Sequence, residues 1–326
     1  METEPSDLKT HILQAIQKRG GWVNAHAHFD RAYTITPDIL TQAHALMENK
    51  WMLVDEHKRT SSEEDYFARI EKAVQKMIDQ GVTVCASFID VDPITELRAI
   101  KAAVAVKKKY APQIKLLLIN QVIKGVLDET AKSWAQKALE YVDIIGGLPS
   151  KDRPDTDKHL DVLFAWAKET GKMVHVHIDQ ENNPNEHDTE LLAKKTIEHG
   201  LEGKVVAVHA ISVAAQEPSK RQEIYALMKT AGLSVVCCPS GALSMKPLPE
   251  KAYIHNSIAP VVELLEAGIP VGLGVDNISD VFQPLVDGDM YTELRFLAEA
   301  NRFYDIYKLA DIATIHGRRA LGLGSI

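Results

Sequence analysis

Eight short, β-branched apolar runs recur along a chain of 326 residues, each followed by a segment with helical spacing, and this count limits the available folds more than any other feature. The runs are WVNAHAHFD (22–30), VTVCASFID (82–90), IKLLLINQV (114–122), VDIIGGLP (142–149), KMVHVHID (172–179), KVVAVHAIS (204–212), LSVVCCPS (233–240) and IPVGLGVD (269–276). Most are nearly continuous in apolar residues rather than alternating, as expected of parallel strands covered on both faces. Between them lie amphipathic segments. In 62–80, Phe67, Ile70, Val74, Met77 and Ile78 share one stripe, Ser61 and Glu64 have capping-box spacing, and Gly81 ends the pattern. The same order returns in 187–199, 218–230 and 258–267, stopped by Gly200, Gly232 and Gly268. Eight strand–helix units fit a single α/β domain over 1–326, a (β/α)8 barrel of the TIM type, with 1–21 as an N-terminal helical extension (Leu8 to Lys18). A doubly wound open sheet is the rival, but no GxGxxG follows the first run.

Composition narrows the function. The chain is 45% hydrophobic and 25% charged, enough apolar material for a large core, with a net charge of -8 and no basic stripe. Nucleic-acid and membrane partners are therefore not expected, and a small-molecule substrate is. The polar start METEPSDLKT and the lack of a long apolar run predict a cytoplasmic protein. The three cysteines, Cys85, Cys237 and Cys238, have no CxxC spacing and read as inert core thiols.

The polar residues that carry chemistry in a barrel sit where strands end and loops begin. His26 and His28 close the first run, His175 and His177 the fifth, His209 the sixth and Asp276 the eighth. Residues two apart on a strand share a face, so His26 and His28 project together and can grip one metal ion. A third imidazole and a carboxylate from neighbouring strand ends would complete an N/O site for Zn²⁺ or Fe²⁺ with a position left for water. Against this stands a plainer reading, in which a histidine on an apolar strand is a hydrogen-bonded core residue; for His175 the two weigh equally. His44, His57, His159, His187, His199, His255 and His316 fall in helices or loops and read as surface or supporting groups. For the His26/His28 pair the plain reading is weak, because each buried imidazole without a partner costs about 1–3 kcal/mol. An unpaired carboxylate at Asp276 would cost more still.

With these residues in place, the chain resembles the amidohydrolase superfamily in its mononuclear form: HxH on strand one, His on strands five and six, Asp on strand eight. HAHFDRAYT (26–34) is similar to the HxHxDK start of the cytosine deaminase branch, and FIDVDP (88–93), IGGLP (145–149), TIEHGLEGKVVAVHA (196–210) and VDNISDVFQPLVDGDM (275–290) are similar to that branch, isopropylammelide amidohydrolases included. The likeness runs from about residue 22 to 322. The resemblance implies one divalent ion, zinc first and iron(II) second, on His26, His28, His177 and Asp276. It implies hydrolysis of a non-peptide C–N bond in a small cyclic amide or amidine by a metal-activated water. Asp276 would move the proton to the leaving nitrogen and His209 would polarise the attacked centre; Asp30, Gln121, Gln180 and Asn277 would contact substrate.

The chain also departs from that branch. Where cytosine deaminases carry HxxE, it has His177-Ile178-Asp179-Gln180, and a glutamine shuttles no proton. The glutamine expected after strand three is replaced by Ile123 unless Gln121 substitutes, and the polar strand-two pattern becomes Ala86-Ser87-Phe88-Ile89-Asp90. About 21 residues precede the first run, so the accessory β-sandwich of relatives is expected to be missing, and a homo-oligomer could cover the barrel's base. A bimetal phosphotriester or lactone hydrolase ranks lower, since strand four ends Gly146-Gly147-Leu148-Pro149 and Lys151 lies beyond the proline. The alternative from another class is a metal-binding but catalytically silent protein of the same fold.

Overall fold

The chain is seen in a computed structural model that describes residues 7–44, 47–245, 248, 250–251 and 258–324; His255 and the side chain of His44 lie outside what is described. Eight strands appear where the apolar runs place them, most of them shorter than the runs: β1 Trp22–Asn24, β2 Val82–Asp90, β3 Lys115–Gln121, β4 Ile145–Gly147, β5 Val174–Ile178, β6 Val205–His209, β7 Ser234–Cys237 and β8 Val271–Leu273. All pair in parallel, in two sheets ordered β1-β2-β3 and β4-β5-β6-β7-β8. Among the described residues no strand lies outside these two sheets.

The sheets meet at two seams. Between β1 and β8, Ala27 bridges Asp276, with Asp276 N donating to His26 O (3.0 Å) and His28 N to Asp276 O (3.2 Å). Between β3 and β4, Ile119 bridges Ile144, and Ile144 N donates to Leu118 O (3.2 Å). His26 and His28 thus lie just past the paired residues of β1, and the seam keeps them in extended alternation around Ala27.

Inside the sheets, Val23, Ala25, Val84, Ala86, Phe88, Leu117, Ile119, Val206, Val208 and Val236 form one buried cluster; a larger one lies between strands and helices. The helix expected over 62–80 spans Glu63–Asp79, but its capping box is one residue later than the sequence spacing suggested. Ser62 accepts from Asp65 N (3.1 Å) and Asp65 from Ser62 N (2.8 Å), whereas the Ser61 hydroxyl turns back to His57 O of the preceding helix (2.9 Å). Tyr66 and Ala73 join Ile70, Val74 and Met77 in the core, and Phe67 and Ile78 are half-buried. The extension forms the helix Leu8–Lys18, and Gly81, Gly200, Gly232 and Gly268 all have positive φ. No helix among the described residues is long and apolar enough to cross a membrane. The cysteines are free and buried, their thiols pushed up by desolvation.

Candidate metal centre

At the C-terminal ends of the strands the chain turns sharply. Asp179, His209 and Asp276 all take the left-handed backbone region, with φ of 48°, 78° and 62°. For residues other than glycine this costs about 1–3 kcal/mol each and concentrates at sites where side-chain aim matters. Two of the three, His209 and Asp276, aim into one cluster.

Asp276 Oδ1 lies 3.2 Å from His26 Nε2 and 3.4 Å from His28 Nε2. His177 Nε2 lies 3.2 Å from His28 Nε2, and the His209 ring is 5.4 Å from that of His26 and 5.5 Å from that of His177. All five side chains are buried. Phe88 floors the cluster, its ring 4.4 Å from His177 and 5.0 Å from His26. Burial holds His28 and His177 well below the usual imidazole range, with the Arg31 guanidinium adding to it at His28 and the crowd of imidazoles at His177, and burial brings His209 down to about 4. Burial alone would raise the Asp276 carboxyl, but hydrogen bonds from His26 and His28 outweigh it and hold it well below its ordinary value.

Neutral imidazoles beside an ionised carboxylate are the donor set of a divalent cation. Ligand atoms of His26, His28 and Asp276, and likewise of His26, His177 and His209, lie within 4.8 Å of one another. His177 Nδ1 faces Gly147 O (3.3 Å), which puts the ring's lone pair on Nε2, inside the cluster, and His26 Nδ1 has no partner. Arg31 Nη2 donates to His28 Nδ1 (2.6 Å) from beside the cluster. The residues therefore fit the ion. His175 is the plain core histidine, its Nε2 at 2.8 Å from Ala320 O. His159 is fully buried, between Asp152 Oδ2 (2.6 Å) and Leu148 N (3.1 Å), an internal strut rather than a surface group.

The cluster opens on a cavity whose wall includes Gln121, Gln180 and Asn277. Asp30 is not on that wall: its Oδ2 accepts from Asp90 N (2.8 Å), and burial together with the Asp90 carboxylate raises it to about 7. The helix Met47–Thr60 covers the cavity with Lys50 and Trp51, anchored by Lys58 Nζ between Asp90 (2.9 Å) and Asp92 (2.6 Å). Lys151, beyond β4, packs its ammonium 3.4 Å over the Trp51 ring. A second cavity, sharing Trp51, His177 and Gln180, has Asp179, Glu181, Glu186 and Asp188 in its wall.

Sequence reasoning missed Gln283, whose Nε2 donates to Asp276 Oδ2 (2.6 Å), and the buried Arg31. It also missed Gly241, where a Cβ would stand 2.4 Å from Asp276 Oδ2. Gln283 gave no periodic signal; Arg31 had one, being the basic residue that closes HAHFDR.

The chain matches the Amidohydrolase family over residues 20–326, and it belongs to that family. It is 44% identical to an uncharacterised protein of Haemophilus influenzae over 269 residues, 81% of this chain and 98% of that one. It is 28% identical to the N-isopropylammelide isopropyl amidohydrolase of a Pseudomonas species, over 93% of this chain and 74% of that one. Its fold is similar to that of 5-methylcytosine deaminase from Klebsiella pneumoniae, with a TM-score of 0.87 at 24% identity over 93% of this chain and 75% of that one. The protein is thus a hydrolase of carbon–nitrogen bonds other than peptide bonds, with a TIM-barrel fold.

Proposed function

We propose that this protein hydrolyses a C–N bond of a small cyclic amide or amidine, releasing ammonia or an amine, with one divalent ion on His26, His28, His177 and Asp276. Zinc is the first choice and iron(II) the second. The observation that supports this reading is the buried cluster beside a cavity in which His26 and His28 lie 3.2 and 3.4 Å from Asp276 and His177 lies 3.2 Å from His28. The same reading takes 1–326 as one closed (β/α)8 barrel domain, extended at 1–21.

A cation bound there supplies a Lewis acid and brings the pKa of water near 7. Asp276 receives the proton of the attacking water and delivers it to the leaving nitrogen. His209, neutral at working pH, lies beside Asp276 to polarise the attacked centre. Gln121, Gln180 and Asn277 contact the ring from the cavity wall, while Asp30 acts at one remove, bracing Asp90. Gln180 moves no proton, which favours substrates whose leaving group needs none from that side and also motivates the second reading, a metal-binding protein without turnover.

The test is a screen of metal-loaded protein against triazines, pyrimidines, cyclic ureides and N-alkyl amides, read by ammonia or amine release. Turnover should appear with one class and fall roughly 10²–10⁴-fold in Asp276→Asn. A fully metal-loaded protein inert to all classes would favour the silent reading.

A further inference from the structure

The loop after β8 carries a glutamine that the scheme above leaves unused. Gln283 is 2% exposed, and its Nε2 lies 2.6 Å from Asp276 Oδ2. An ionised carboxylate only accepts, so the amide nitrogen must face Asp276 and the amide oxygen must face away. That oxygen, Oε1, is buried and has no hydrogen-bond partner, although Gln283 forms part of the cavity wall. A buried acceptor left empty costs about 1–3 kcal/mol, and such a group asks what satisfies it.

The arrangement is held from several sides. Asp280 Oδ1 accepts from Phe282 N (2.8 Å) and Gln283 N (3.0 Å), fixing the backbone, and Asp280 Oδ2 accepts from Asn277 Nδ2. At Gly241 a Cβ would stand 2.4 Å from Asp276 Oδ2 and 2.9 Å from Gln283 Nε2, so the chain closes over the pair only because no side chain is there. Asp280 also faces Arg31, whose Nε is 3.9 Å from Asp280 Oδ2 and whose Nη1 is 3.8 Å from Asp90 Oδ2, beyond hydrogen-bond reach. Arg31 Nε and Nη1 are therefore buried donors without acceptors, on a residue of the same cavity wall. One unpaired acceptor and two unpaired donors thus belong to residues of the same cavity wall, and an N–H beside a C=O is the ligand chemistry that satisfies both.

We propose that Gln283 determines specificity: its Oε1 accepts a ring N–H of the substrate while Arg31 donates to the adjacent ring carbonyl, which narrows the substrate class to lactams and cyclic ureides. The proposal rests on the functional reading above and names the part of the ring that the site holds. A ring alkylated on that nitrogen loses the bond and presses carbon against the amide oxygen, so it is rejected.

The experiment is calorimetric titration of the zinc-loaded protein with uracil and hydantoin, and with 1,3-dimethyluracil and 1,3-dimethylhydantoin. The N–H rings should bind ten- to a hundredfold more tightly than their dimethyl counterparts, and Gln283→Met, which keeps the side-chain length and loses both amide groups, should reduce that preference to within about threefold. Equal binding of the two sets, or no binding of either, overturns the proposal with the unaltered protein alone, whatever the folding of the variant; so does a preference that survives Gln283→Met. Preference without turnover in the substrate screen leaves this assignment standing and removes the hydrolytic reading. Turnover without preference does the reverse.

Discussion

The two seams between the sheets use the same devices and do different work. At the β1/β8 seam an asparagine reaches across: Asn24 Oδ1 accepts from Val275 N (3.2 Å) and His26 N (3.4 Å). At the β3/β4 seam Asn120 Oδ1 accepts from Gly146 N (3.0 Å). Each seam also needs a glycine for close approach. A Cβ at Gly274 would lie 2.7 Å from His26 Cβ, and one at Gly146 only 1.9 Å from Asn120 O. The residues that meet differ: Ile119 and Ile144 at one seam, His26, His28 and Asp276 at the other. The backbone contacts at the first seam are therefore made by the residues whose side chains form the cluster, whereas the second seam touches the cluster through a main-chain group, the Gly147 carbonyl that faces His177 Nδ1.

The largest effects should come from striking each seam at its centre. His26→Ala removes a buried imidazole that contacts both Asp276 and the ring of Phe88, and metal content measured by mass spectrometry should drop to near zero along with a fall in melting temperature. Ile119→Ala at the other seam empties a fully buried site and should cost about 2–5 kcal/mol in denaturant unfolding. The protein that remains folded should still hold its full complement of metal. If Ile119→Ala lost metal as completely as His26→Ala, the division of labour between the seams would be wrong.

That division was partly readable in the chain. The eight strands were legible because apolar, β-branched runs bounded by glycines leave few alternatives, and the histidines and Asp276 were legible because strand ends are where a barrel aims side chains. The two-sheet ladder was not, since strand pairing across a gap is a long-range property that no local pattern carries. A weak signal existed: Asn24 and Asn120 are polar residues inside WVNAHAH and LLLINQV, where an unpartnered amide would be costly. Gln283, Arg31 and Gly241 were harder. Their roles arise from contacts with residues on other loops, and single polar residues in loops have no period to betray them.

The two asparagines allow a finer cut. Asn24→Ala and Asn120→Ala each strip a buried backbone N–H of its acceptor, and each should cost about 1–3 kcal/mol. Their effects on metal should part company. Asn24 holds Val275 and His26, the residues beside and within the cluster, so its loss should weaken metal retention under chelator several-fold; Asn120 holds only Gly146, and its loss should leave retention unchanged. Equal chelator sensitivity would mean that the first seam's backbone does not position the ligands.

The smallest effect concerns what lies behind each seam. Behind the first, Glu293 on the helix Met290–Asn301 accepts from Ser240 N (2.9 Å), next to the Gly241 that packs on Asp276. Burial raises its carboxyl from the ordinary 4.5 to about 8. The carboxylate at the second seam, Asp143, is half-buried and paired with Lys107 (2.7 Å). A folded-state pKa above the unfolded one favours the native state while the group is protonated, so the contribution of Glu293 is complete below about 4.5 and is lost as pH rises toward 8. Glu293→Gln keeps an oxygen for Ser240 N and removes the titration. Its urea midpoint, measured at intervals from pH 5 to 8, should therefore decline less with pH than that of the unaltered protein, and the two curves should draw together at the acid end. Parallel curves would show that Glu293 is ionised throughout, and that a full charge rather than a neutral carboxyl backs the seam that carries Asp276.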